Sequence, residues 1–104
     1  MNDDILMKFA NKAILRHNEY WSLPAGAIGV IQEAKSQGTP LFGFDGARID
    51  DRFITPSQAD SWDYTRISSS IADPYEHAVQ FIQERQDTDL RFSVVLGESK
   101  EKSN

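Results

Sequence analysis

The sequence contains no cysteine, which removes disulfides, thiol nucleophiles and cysteine-based zinc or iron–sulfur sites from consideration. Histidine is scarce too, with only His17 and His77 present. Neither has a second histidine at i+3 or i+4, the spacing that lets one helix face grip zinc. There is no G-x-S-x-G nucleophile motif, and Lys35-Ser36 lacks the upstream glycines of a phosphate-binding loop. Ser68 to Ser70 reads as a polar linker. Catalysis therefore has no motif behind it, and no enzyme is expected.

Positive charge is also in deficit. Lys and Arg number 11 against 16 Asp and Glu, a formal net charge of -5. Phosphate backbones need a basic face, so nucleic acid is not an expected partner. A basic protein is, since opposite potentials speed encounter. No run approaches the length of a membrane span, and MNDDILMKFANK has neither a basic n-region nor an apolar h-region. The expectation is a cytoplasmic chain that does not engage a membrane.

What is present suffices for a core. Hydrophobic residues make up 39% and aromatics 11% of 104 residues, the size and composition of one domain. That domain is expected to span 1–96, with 97–104 (GESKEKSN from residue 97) as a charged, disordered tail.

Ile5, Leu6, Phe9, Ala10, Ala13, Ile14 and His17 fall on one stripe of a helix over 4–17. A short connection holding Tyr20 and Trp21 follows. Ser22 as N-cap and Pro24 in the first turn predict a second helix to about Gln37, with Gly26 and Gly29 as close-packing positions and Gly38 as its stop. Leu41 to Phe44 reads as a strand whose Gly43 marks a bulge or close backbone approach. Residues 45–61 read mostly as loop, with a short strand at 52–55 and a strand or edge over 62–67. Asp73-Pro74 predicts a third helix to about Gln86. Leu90 to Leu96 is the strongest strand signal, placing Phe92 and Val94 on one face and Arg91, Ser93 and Val95 on the other. The order predicts an α+β fold: a small, mainly antiparallel sheet with about three helices packed on one face.

The most specific stretch is Gly38 to Trp62. Asp45, Asp50, Asp51, Asp60 and Asp63 crowd a segment that ends in Trp62 and Tyr64. The alternating spacing of a calcium loop is missing, so no metal site is expected. Trp21 is expected to be a core lid, whereas Trp62 divides evenly between lid and contact anchor. Acidic side chains beside an exposed aromatic suit a basic protein surface. Asp45, following a buried strand at Asp45-Gly46, is expected to accept backbone hydrogen bonds within its own turn.

In their order, these features resemble one family of small immunity proteins from bacterial polymorphic toxin systems. The positions that carry the resemblance are Trp21, then Pro40-Leu41-Phe42-Gly43-Phe44-Asp45, Trp62-Asp63-Tyr64, Ala78 to Ile82, and Phe92 to Leu96. Phe44 stands where the family has the second glycine of its turn. The resemblance implies a non-catalytic antidote without cofactor, which binds a cognate toxin domain, often a nuclease or other basic enzyme. Asp45, Asp50, Asp51, Asp60, Trp62 and Asp63 are then the expected contact residues. The competing expectations are a small-ligand or catalytic domain using the 45–63 segment, and a module that homodimerises through the exposed side of its sheet.

Overall fold

Proline and glycine punctuate the chain where the sequence suggests, but strands take up more of it. The structure, a computed structural model, describes residues 3–9, 13–16, 19–65, 71–86 and 88–97. The readings of His17, of the Ser68–Ser70 linker and of the tail beyond Gly97 lie outside these residues. The elements in order are α1 (Asp3–Lys8), β1 (Ala13–Arg16), β2 (Glu19–Ser22), α2 (Pro24–Gln37), β3 (Leu41–Ile49), β4 (Ile54–Asp63), α3 (Pro74–Gln83) and β5 (Arg91–Leu96).

The five strands form one sheet in the order β1-β2-β5-β3-β4, with every neighbouring pair antiparallel. Helices α2 and α3 cover one face. Ala27, Ile28, Val30, Ile31 and Ala34 from α2, with Ala78 and Ile82 from α3, pack in one cluster with Leu41, Phe44, Leu90, Phe92 and Val94 of the sheet. Ile5 of α1 joins the same cluster, and the Phe9 ring lies against Gly29 of α2. The expected α+β architecture, antiparallel sheet and three helices, is what the chain forms.

The helix boundaries follow local chemistry. Pro24 opens α2 without help from a side-chain cap. Leu23 takes the N-cap position, and Ser22 is the buried last residue of β2 rather than the expected cap. Gly38 closes the helix in the left-handed region at φ 72°, a conformation a side chain resists. At α3, Asp73 caps by accepting from the Glu76 N–H, with Pro74 in the first turn. The helix itself ends at Gln83, three residues short of the expected Gln86.

Two sequence readings are corrected. The apolar stripe over 4–17 is not one helix: it holds α1 and then β1. Ala13 and Ile14 fit a helical stripe, but they pair across β2 with Ser22 and Trp21. Trp21 therefore lies in a strand rather than a connection. It is 5% exposed, as expected of a core lid.

The second correction is larger. Residues 45–61 are not mostly loop; they form a long β3–β4 hairpin. Asp45-Gly46 makes no turn, and β3 runs straight through it. The turn comes later, at 50–53, where the Asp50 carboxylate accepts the N–H groups of Arg52 and Phe53 at 2.8 and 2.7 Å.

Register along β3 shifts twice. Against β5, Leu41 pairs with Leu96 and Gly43 with Val95, so Phe42 is one extra residue, a bulge that turns its ring outward. Against β4, Phe44 pairs with Trp62 and Gly46 with Ser57. One residue on β3, Asp45, thus opposes four on β4, 58–61. The excess folds back over Gly46, whose missing Cβ leaves room for the backbone carbonyl of Asp60 and for the Phe92 ring. Pro56 is accommodated because β4 is an edge strand.

Gly46→Ala would force apart a packed strand crossing. It is expected to destabilise the fold by about 1–3 kcal/mol, checked by the midpoint of urea unfolding against wild type.

Candidate functional site

The β4 irregularity is held by a compact polar network. The Ser61 hydroxyl accepts the Gly46 N–H at 2.9 Å and donates to the Ser57 carbonyl at 2.7 Å. The Ser57 hydroxyl donates to Asp60 at 2.6 Å, and Arg85 Nε meets the other Asp60 oxygen at 2.5 Å. Arg85 also donates to the Phe81 carbonyl at 2.9 Å, with its guanidinium 3.7 Å from the Phe81 ring centroid. The Asp60 and Arg85 side chains are only 18% and 24% exposed. The Ser57 hydroxyl and then the Arg85 guanidinium hold the Asp60 carboxyl below the usual carboxylate range. Asp60 is thus a tie between the sheet edge and the end of α3.

Past this network β4 regains register, and three of the expected site residues converge. A shallow groove of about 290 Å³ is lined by Phe42, Phe44, Asp45, Trp62, Asp63 and Val95, with Gly43 and Thr65 completing it. Alternation along the strands places Asp45 and Val95 on the sheet face away from the helices, since Phe44 and Val94 between them point into the core. Phe42 is 43% exposed and Val95 41%. The Asp45 carboxylate is exposed and has no hydrogen-bond or ion-pair partner among the described residues. This overturns the expectation that it stabilises its own turn: within a strand it has no turn to stabilise. Asp63 is anchored, its Oδ1 accepting the Thr65 N–H and hydroxyl at 2.8 and 2.5 Å.

Trp62 is part of the aromatic packing and is also partly open to solvent. It packs against His77 and Phe81 of α3, at ring-centroid distances of 4.6 and 6.0 Å, yet stays 39% exposed. His77 is half-buried, and its Nδ1 is hydrogen-bonded to the Tyr64 hydroxyl at 2.6 Å. Burial pushes the Tyr64 phenol well up, so it stays protonated across the physiological range.

The six expected contact residues therefore separate by place. Asp45, Trp62 and Asp63 share the groove. Asp60 is committed to Arg85. Asp50 holds the hairpin turn and Asp51 is exposed beside it, roughly 16 Å along β3 from Asp45 at the usual rise per residue. Sequence reasoning did not single out Phe42 and Val95. Val95 carried a readable signal, an apolar side chain on the strand face otherwise holding Arg91 and Ser93. Phe42 carried none, because only the bulge turns it outward.

With acceptor-only carboxylates over an apolar floor, the groove can bind positive charge and flat apolar surface. Among the described residues, no three His, Asp or Glu side chains come together as a metal-holding group, and no helix is long and apolar enough to cross a membrane. No protein-family model matches the chain, and a search of curated proteins finds no match.

Because the folded Asp60 carboxyl is shifted down, its stabilisation is present above the unfolded carboxylate range and is lost as pH falls through the folded value. Asp60→Asn is expected to cost about 2 kcal/mol at neutral pH. The gap to wild type should close below about pH 4, as read from melting temperatures across that range.

Proposed function

We propose that this chain is a non-catalytic immunity protein that binds and neutralises a cognate toxin domain of a bacterial polymorphic toxin system. The observation that carries the reading is the groove on the open sheet face, where the Asp45 and Asp63 carboxylates stand beside exposed Phe42 and Val95, with the part-exposed Trp62 reaching its edge from the helical side. Protein interfaces concentrate binding energy in aromatic anchors ringed by polar groups. The open, shallow form suits a protein surface better than an enclosed small molecule, for which deeper pockets are usual.

Overall charge supports the same partner. At -5 the chain attracts a basic domain at long range. The resemblance in the order of Trp21, the Leu41–Asp45 strand and the Trp62-Asp63-Tyr64 segment points to the antidote class, and two of those three segments contribute to the groove. The toxin's Lys and Arg side chains would meet Asp45 and Asp63, with Trp62 at the margin as apolar anchor.

The partner to test is a compact, basic C-terminal domain encoded by a reading frame beside this one. Co-expression with that domain should restore growth, and the two should co-purify. Asp45→Lys, at an exposed side chain with no internal role, is expected to slow association at low salt by about ten- to a hundredfold. Asp51→Lys at the hairpin tip should change it far less. Equal binding by wild type and Asp45→Lys would remove the groove from the interface. A domain that neither co-purifies with the chain nor is neutralised by it would remove the antidote reading.

A further inference from the structure

We propose that the sheet face away from the helices encloses an internal water site, with the Trp21 indole N–H as its fixed donor. The site is independent of the partner reading above. Trp21 is 5% exposed, and its Nε1 is buried without a hydrogen-bond partner among the described residues. An indole N–H can only donate, and buried donors are almost always paired with protein or with ordered water.

The burial of Trp21 needs an explanation of its own, because its side of the sheet is not the helical one. Phe92, in the helix-covered core, pairs with Ser22, so alternation turns Trp21 to the opposite face. Ser93 and Ala47 point the same way: Ser93 follows Phe92, and Ala47 follows Gly46, the partner of Phe92 on β3. All three are nonetheless buried, and Trp21 is not part of the main core cluster. The face away from the helices therefore carries a second, smaller buried patch.

Its cover comes from two corners of the sheet. Ile14 pairs with Trp21 and Arg16 with Glu19, so Arg16 shares the face of Trp21. With β2 and β5 between them, β1 and β3 would lie roughly 14 Å apart in a flat sheet. Yet the Arg16 guanidinium donates to the Asp50 carbonyl at 3.3 Å. The sheet is thus curled, and β1 and the β3–β4 turn approach each other over the face that holds Trp21.

The polar groups beside Trp21 suit a water. The Ser93 hydroxyl donates to the Glu19 carboxylate at 3.2 Å, and Arg91 donates to the Trp21 carbonyl at 3.3 Å. These bonds leave acceptor capacity on Ser93 Oγ and on the Glu19 carboxylate. Water is the smallest molecule that can accept from the indole and donate onward to either oxygen. A bonded water also removes the penalty that a buried, unpaired N–H would impose on the fold.

The test follows the two tryptophan indole N–H resonances of the full, isotopically labelled chain, assigned with Trp62→Phe. The Trp21 indole is expected to exchange with solvent about tenfold or more slowly than the part-exposed Trp62 indole. It should also show cross-relaxation of the sign given by a long-lived bound water, and keep it in Ser93→Ala, where no hydroxyl can relay the signal. Arg16→Ala should speed Trp21 exchange by about tenfold and leave Trp62 unchanged. A Trp21 indole that exchanges as fast as Trp62, or that is indifferent to Arg16→Ala, would overturn the enclosure. Contacts from the indole proton to a protein acceptor in place of water would overturn the water site.

Discussion

The contact between Asp60 and Arg85 is the constraint around which the β3–β4 side of the sheet is arranged. Four residues of β4 are set against one of β3, a local excess that would leave an edge strand unpaired. It is held because Ser57 and Ser61 satisfy its polar groups internally and because Asp60 reaches the final turn of the helical layer. Arg85, in the turn after α3, joins three things there: a carboxylate from the sheet, a carbonyl from the last turn of α3 and the face of Phe81. The pair is partly desolvated, where removing one partner is costly because the other is left uncompensated.

The groove follows from that arrangement. Once the excess has been absorbed, Trp62 comes opposite Phe44 and Asp63 opposite Gly43, which brings Asp63 beside the strand that carries Asp45. The bulge at Phe42 adds the aromatic wall on the same side. Two irregularities on the two sides of β3 thus convert a flat, polar sheet face into a recess with a charged and an aromatic wall. Behind it, the ring cluster of Phe44, Tyr64, Phe81 and His77 supports Trp62 from the helical side. The rigidity of that cluster would lower the entropy lost when the exposed part of Trp62 is covered.

The readable parts of the fold were those specified by local chemistry. Pro24, Gly38 and the Asp73-Pro74 pair mark helix ends through backbone constraints that tertiary context does not alter, and strict alternation marks β5. The first strand was hidden because Ala13 and Ile14 satisfy a helical stripe and a strand pair equally well. Only the presence of β2 alongside decides between them. The hairpin was hidden for a different reason. Its carboxylates are loop-forming by composition, yet each has a separate structural setting: Asp50 in the turn, Asp60 in the tie, Asp45 and Asp63 on the open face. Asp45, Trp62 and Asp63, singled out by residue type, come together at one groove. Phe42 was not singled out, since an extra residue in one strand can be recognised only against its partner strand.

The central claim is that a basic partner is recognised on the open sheet face at the groove, and not on the helical face. Hydrogen exchange on the chain with and without the neutralised toxin domain tests it most directly. The account predicts new protection concentrated in residues 42–46, 61–65 and 93–96, with α2 unchanged. Protection centred on α2 and α3, with 42–46 and 61–65 exchanging as in the free chain, would contradict it.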